Sequence, residues 1–180
     1  MRKMDFQLQQ WPGDGLLQGI EVSGSISRQA GRLALDYYIS GPLEDIVIPG
    51  PEPIPERKIG LWENTCLEFF LTESGQPRYW EFNLSPSGAW NVFRFENYRQ
   101  GLFEEEVFSR LPFQARQEAQ GRFHLALDFT LGRIIRTDKN LEVAISAVIK
   151  TTSGRQSFWA LSHPASGADF HHRSGFLLRL

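Results

Sequence analysis

Hydrophobic and polar residues alternate along much of this chain, in runs too short for amphipathic helices. Between residues 60 and 99, C-L-E-F-F-L-T, R-Y-W-E-F-N-L-S and W-N-V-F-R-F-E each carry a period close to two. That period sends successive side chains to opposite faces of a strand. The same reasoning predicts strands over 20–27, 32–39, 66–72, 78–85, 90–96, 122–129, 142–149, 157–161 and 175–180. The best helical candidate is 102–111, whose three consecutive glutamates leave only a narrow apolar face. The proline-dense I-P-G-P-E-P-I-P-E-R-K lacks the amide donors of a central strand and is expected as an extended loop over the mouth of a site. The pattern predicts an all-β, antiparallel β-sandwich with at most one or two short helices, residues 1–180 forming a single domain.

Parity sorts the central residues onto faces. Leu67, Phe69 and Leu71 share one side of their strand, opposite Cys66, Glu68 and Phe70. Trp80, Phe82 and Leu84 are expected inward, with Tyr79, Glu81, Asn83 and Ser85 outward. In the third strand Asn91, Phe93 and Phe95 are assigned to the core, and Trp90, Val92 and Arg94 to the outer face. A short P-S-G-A turn would set Ser85 beside Trp90, Asn83 beside Val92 and Glu81 opposite Arg94. The longer turn at 73–77 brings Glu68 opposite Glu81 or, one step along, Asn83.

The resulting Glu68–Glu81–Asn83–Arg94 patch has two readings. One is a solvated face with a surface ion pair worth under about 1 kcal/mol. The other is a recess where polar groups converge beside aromatic rings, the combination that satisfies sugar hydroxyls while a ring covers the apolar sugar face. Phe70, Trp90 and Val92 suit a fully solvated face poorly, which favours the recess.

Composition narrows the partners. A net charge of -2 without basic runs argues against nucleic acid and anionic membranes. The lone Cys66 excludes an internal disulfide framework and a multi-cysteine metal site, and reads as packing rather than as a nucleophile. The N-terminus M-R-K-M-D-F-Q-L-Q-Q-W-P has no apolar run of signal-peptide type, so a cytoplasmic setting is expected. Near the C-terminus, F-W-A-L-S-H-P-A-S-G-A-D-F-H-H-R offers Trp159 to the patch and His163 for ligand contact. Asp169, His171 and His172 are expected to order the following loop or to meet the ligand, in a spacing that matches no metal motif. Glu68 and Glu81 could form a glycosidase pair, but an Arg94 opposite Glu81 would hold that carboxylate ionised.

On the motifs L-W-E-N-T-C-L-E-F-F-L, Y-W-E-F-N-L-S-P-S-G-A-W-N-V-F-R-F, F-W-A-L-S-H-P and D-F-H-H-R-S-G-F, the chain from about Arg32 onward resembles DOMON-like proteins related to family 9 carbohydrate-binding modules. The uncharacterised bacterial branch of that group is most similar. The resemblance implies a β-sandwich that binds a sugar or a haem. For a sugar it implies a tryptophan clamp at Trp62 and Trp159 with Glu68 on the strand between them; the arginine such modules can carry on the next strand is Glu81 here. For a haem it implies methionine with histidine or lysine as axial ligands, for which this chain has only Met1 and Met4, and His163 or His171. The resemblance also implies the structural calcium of related sugar modules, to which no residues of this sequence are assigned. The expectation is a non-catalytic module without a cofactor. It would take a small polar ligand, a carbohydrate or sugar conjugate, through Trp62, Glu68, Glu81, Asn83, Trp90, Arg94, Trp159 and His163. A haem-binding domain and a protein-interaction domain are the alternatives.

Overall fold

Alternation becomes two stacked antiparallel sheets in the computed structural model, which describes residues 2–15 and 17–180. The strands are β1 (Arg2–Gln7), β2 (Gln9–Gln10), β3 (Glu21–Gln29), β4 (Arg32–Ser40), β5 (Cys66–Glu73), β6 (Tyr79–Leu84) and β7 (Trp90–Phe95). They continue as β8 (Phe103–Glu104), β9 (Phe113–Glu118), β10 (Arg122–Thr130), β11 (Leu141–Lys150), β12 (Gln156–Ala160) and β13 (Leu178–Arg179). One sheet runs β1-β3-β4-β10-β9; the other runs β2-β12-β11-β5-β6-β7-β8, with β13 against β11. The expected β-sandwich is therefore the observed fold.

The main core lies between the sheets and is built from every second residue of facing strands. Leu33, Leu35, Tyr37 and Ile39 of β4 meet Leu67, Phe69 and Leu71 of β5 and Phe82 of β6, all fully buried. Gly24 of β3 occupies a core-facing position because nothing larger fits there. A Cβ at that position would lie 1.9 Å from the Asp36 carbonyl and 2.6 Å from Cζ of Phe6, its partner in β1. Gly24→Ala should therefore lower stability by roughly 1–3 kcal/mol through overpacking, seen as a lower urea midpoint with an unchanged slope.

β1 and β9 were not foreseen, and the 102–111 segment is not a helix. Leu102 has φ 56, outside the helical region, and β8 follows it directly. The glutamates there serve neighbouring strands. Glu104 accepts from Asn91 Nδ2 at 2.7 Å, Glu105 accepts from Trp80 Nε1 at 2.9 Å, and Phe108 and Leu111 turn into the core.

The proline segment does not cover the recess described below. It packs along the start of β7, where Lys58 N donates to the Trp90 carbonyl and Trp90 N to the Glu56 carbonyl. Arg57 then reaches Asn91 Oδ1 at 2.7 Å and lies over the Trp90 ring. Met4 sits in β1 against the core, while Met1 lies outside the described residues. Among the described residues no helix is long and apolar enough to cross a membrane.

The register of the β6–β7 hairpin decides which side chains reach the outer face. Its loop is Pro86-Ser87-Gly88, with Ser85 N donating to the Ala89 carbonyl and Gly88 at φ 96. Glycine supplies the positive φ that a three-residue hairpin loop needs. This pairs Leu84 with Trp90, Phe82 with Val92, Glu81 with Phe93 and Trp80 with Arg94. The expected register was one residue away, and a one-residue slip exchanges the faces of a strand. Trp90 and Val92 are thus core residues, and Phe93 and Phe95 are on the outer face.

Candidate functional site

Outside the sandwich, on the free face of the larger sheet, a second apolar cluster is formed by Phe70, Tyr79, Phe93, Phe95, Ala144 and Phe176. Trp62, from a 3-10 turn at Leu61–Glu63, and Phe170, from the C-terminal loop, pack against it. Beside this cluster lies a recess of about 480 Å³. Its floor is strand: Glu68 and Phe70 from β5, Glu81 from β6, Phe95 from β7, Val148 from β11, and Gln156 and Phe158 from β12. Its rim is loop: Trp62, Arg99 and Leu102, and Ala168, Phe170 and His171.

The floor carries two buried acids. Register pairs Glu68 with Asn83 and Phe70 with Glu81, so the carboxyl groups are diagonal neighbours on one face. Glu81, 6% exposed, accepts from Asn83 Nδ2 at 2.9 Å, and burial pushes it up to about 7 against the pull of Asn83 and the Arg99 charge. Glu68 is 3% exposed, and burial, then the charge of Glu81, pushes it well above the ordinary carboxylate range. Its Oε2 accepts a long 3.5 Å bond from Ser146 Oγ, and the Cys66 thiol also acts on the carboxyl group as a weak donor, both opposing the rise. Its Oε1 is buried with no hydrogen-bond partner among the described residues.

His171 and Asp169 organise the rim. Asp169 Oδ1 accepts from Arg99 Nη2 at 2.7 Å and from the His171 amide at 3.1 Å, and Oδ2 accepts from the Tyr98 hydroxyl. Burial alone would raise the Asp169 pKa, yet the bonds from Tyr98 and Arg99 hold it below the usual value. The His171 ring stands edge-on to Phe70 and Phe95, each 5.1 Å away. Burial, then the Arg99 charge, lowers its pKa to about 4, leaving it neutral.

The tautomer follows from the neighbouring phenol. Tyr79 is pushed up to about 12 by burial, and its hydroxyl accepts from the Arg99 amide at 3.1 Å. Its own hydrogen is then available to His171 Nδ1 at 2.8 Å, which places the imidazole proton on Nε2, 3.8 Å from Glu81 Oε2. Arg99 at φ 52 and Leu102 at φ 56 are both in left-handed backbone, a conformation non-glycine residues adopt only when the surroundings enforce it.

Of the residues singled out from the sequence, Trp62, Glu68, Glu81 and His171 line the recess, and Asn83 supports Glu81 from within the sheet. Arg94 does not. The register puts it opposite Trp80, where it pairs with Glu96 at 3.1 Å and Glu105 at 3.6 Å. Arg94 therefore does not hold Glu81 ionised. Trp90 is in the sandwich core, as is Trp159, because β12 pairs Trp159 with the buried Ala147 and Phe158 with Val148. Phe158 takes the recess-facing position instead.

His163 is elsewhere too, its Nε2 2.8 Å from the Gln9 carbonyl and its ring edge-on to Trp11. Asp169 and His172 bond within the C-terminal loop, His172 Nδ1 accepting from Ser174 N at the 3-10 turn Arg173–Gly175. Arg99, Gln156, Phe158 and Phe170 were missed. The turn N-Y-R-Q-G and the phenylalanine inside D-F-H-H were the available signals. Among the described residues no group of three or more His, Cys, Asp or Glu side chains is placed to hold a metal ion.

No family model and no curated protein matches the chain. Among solved structures it is similar to a proposed carbohydrate-binding protein from Bacteroides uniformis, at 13% identity and a TM-score of 0.68, over 98% of this chain and 84% of that one. It is also similar to a family 9 carbohydrate-binding module from Caldicellulosiruptor kristjanssonii in complex with glucose, at 11% identity and a TM-score of 0.45, over 84% of this chain and 72% of that one. The first likeness, at that level of identity, establishes the sandwich fold.

Proposed function

We propose that the recess binds a small, hydroxyl-rich ligand of the carbohydrate class without transforming it. The observation that carries this reading is Glu68 Oε1, buried on the floor of an aromatic recess without a partner among the described residues. An unpaired buried acceptor costs about 1–3 kcal/mol, and a ligand hydroxyl placed there would recover much of it. Trp62, Phe158 and Phe170 supply ring surface for the apolar face of a sugar, and the volume of about 480 Å³ suits a small-molecule site. The B. uniformis neighbour, itself proposed to bind carbohydrate, supports the same reading.

Geometry argues for binding rather than hydrolysis. Glu68 and Glu81 rise from adjacent strands of one floor, so they approach a ligand from the same side. A glycosidase needs its two carboxyl groups on either side of the scissile bond.

The test is calorimetric titration and thermal shift with neutral and amino mono- and disaccharides, sugar phosphates and hemin. A sugar should raise the melting temperature by mass action. Trp62→Ala and Glu68→Gln should each weaken its affinity about tenfold or more while the unliganded variants stay folded. Shifts with hemin alone, or with no compound, would overturn the reading.

A further inference from the structure

The recess has an excess of buried acidic groups over available cations that a neutral sugar would leave in place. Two carboxyl groups, Glu68 and Glu81, sit on its floor. The guanidinium on its rim, Arg99, is already paired with Asp169 at 2.7 Å. β11 and β12 contribute Val148, Phe158 and Gln156, which carry no charge. The titratable neighbours Cys66 and Tyr79 are held neutral by burial, and His171 is neutral as well. Around the acids stand Phe70, Phe95, Phe158, Phe170 and Trp62, whose ring faces are the negative side of the aromatic quadrupole. Acids to which the described residues offer no uncommitted cation, enclosed by aromatic rings, form an environment that favours a cation over an anion.

Resting on the carbohydrate reading above, we infer that the ligand carries an ammonium group, an amino sugar with its amine free, and that this group is seated at Glu68 and Glu81. A hydroxyl can satisfy Glu68 Oε1 but leaves both buried acids in the protonated form that burial enforces; an ammonium satisfies the oxygen and stabilises a carboxylate within the pair. Because burial has raised both acids, seating the ammonium also drives a proton off the carboxyl pair: the protonated amine and a protonated carboxyl combine to give an ion pair and one released proton. Uronic acids and sugar phosphates would bring a negative charge to a recess whose one rim guanidinium, Arg99, is committed to Asp169.

The experiment is titration calorimetry at pH 6 with glucosamine, galactosamine and mannosamine against glucose, galactose, mannose, N-acetylglucosamine and glucuronate. It is repeated in buffers of different ionisation enthalpy so that proton release is counted. At least one amino sugar should bind tenfold or more tightly than its neutral parent, with proton release and without measurable glucuronate binding. Glu81→Gln should reduce that preference to parity, and Glu68→Gln serves the same purpose if the first variant is unstable. Neutral sugars that bind as tightly as the amino sugars, or a complex formed without proton release, would overturn the ammonium assignment and leave the carbohydrate reading standing. No binding by any sugar would overturn both.

Discussion

Phe82→Ala is expected to cost about 3–5 kcal/mol of folding free energy, a large part of the stability of an ordinary domain. Phe82 is fully buried in β6, stacked on Phe69 of β5 at 4.3 Å with an interplanar angle of 15°. Across the sandwich it meets Phe129 of β10 at 5.1 Å, and Phe108 stands edge-on at 5.8 Å. Removing the ring therefore opens a cavity where the two sheets meet and loses aromatic contacts worth ~0.5–1.5 kcal/mol each beyond the area they bury. Phe82→Leu, which keeps much of the volume, should cost distinctly less. Equilibrium urea unfolding measures both, and a loss under about 1 kcal/mol for the alanine variant would contradict this account of the core.

The second large effect is pH-dependent. In the unliganded protein Glu81→Gln should be more stable than the wild type at pH 8 and nearly equal to it at pH 5. Glu81 titrates near 7 in the folded chain and near 4.5 in a free one. Its neutral form thus favours folding below pH 4.5, and that contribution is lost as the pH rises through 7. Above that, the buried charge costs on the order of 3 kcal/mol, or roughly 6–12 °C in melting temperature. Glutamine keeps the acceptor for Asn83 Nδ2 and never ionises.

His171 works in the opposite direction. Its pKa is depressed from 6.5 to about 4, so its contribution is present above pH 6.5 and is lost as the pH falls through 4. That trend is common to both proteins and cancels in the comparison. Melting temperatures from pH 5 to 8 provide the measurement. A difference between the two proteins that does not grow with pH would refute the buried-acid description.

Much of this was readable from alternation alone. The inward sets Leu67–Phe69–Leu71 and Trp80–Phe82–Leu84 were assigned correctly, because consecutive large apolar residues leave only one face for the acids. β7 was inverted because W-N-V-F-R-F is apolar on both faces, so only the turn could set its register, and three loop residues rather than four reverse every assignment. Trp159 and Phe158 present the same ambiguity, since both are large and aromatic. The rim was less legible still. Arg99 is placed by a left-handed turn and Phe170 by a loop whose path is set by Asp169, and neither depends on a local period. β1 and β9 were missed for a different reason. Both lie at the edges of their sheet, and β9 alternates so weakly that F-Q-A-R-Q-E reads as surface loop.

The meeting of the 96–102 turn and the C-terminal loop at Asp169 has an evolutionary consequence. The floor of the recess belongs to the sheet, whereas its rim is built by two connections. Connections of this kind tolerate substitution and changes of length better than strands do. Selection can therefore re-tune what such a sandwich takes without re-solving how it folds. Asp169 adds a constraint, because it bonds Tyr98 and Arg99 on one connection and the His171 amide on the other. A transplant of either connection alone would leave that carboxylate short of donors, so the two are expected to be inherited, and to be best engineered, as one cassette.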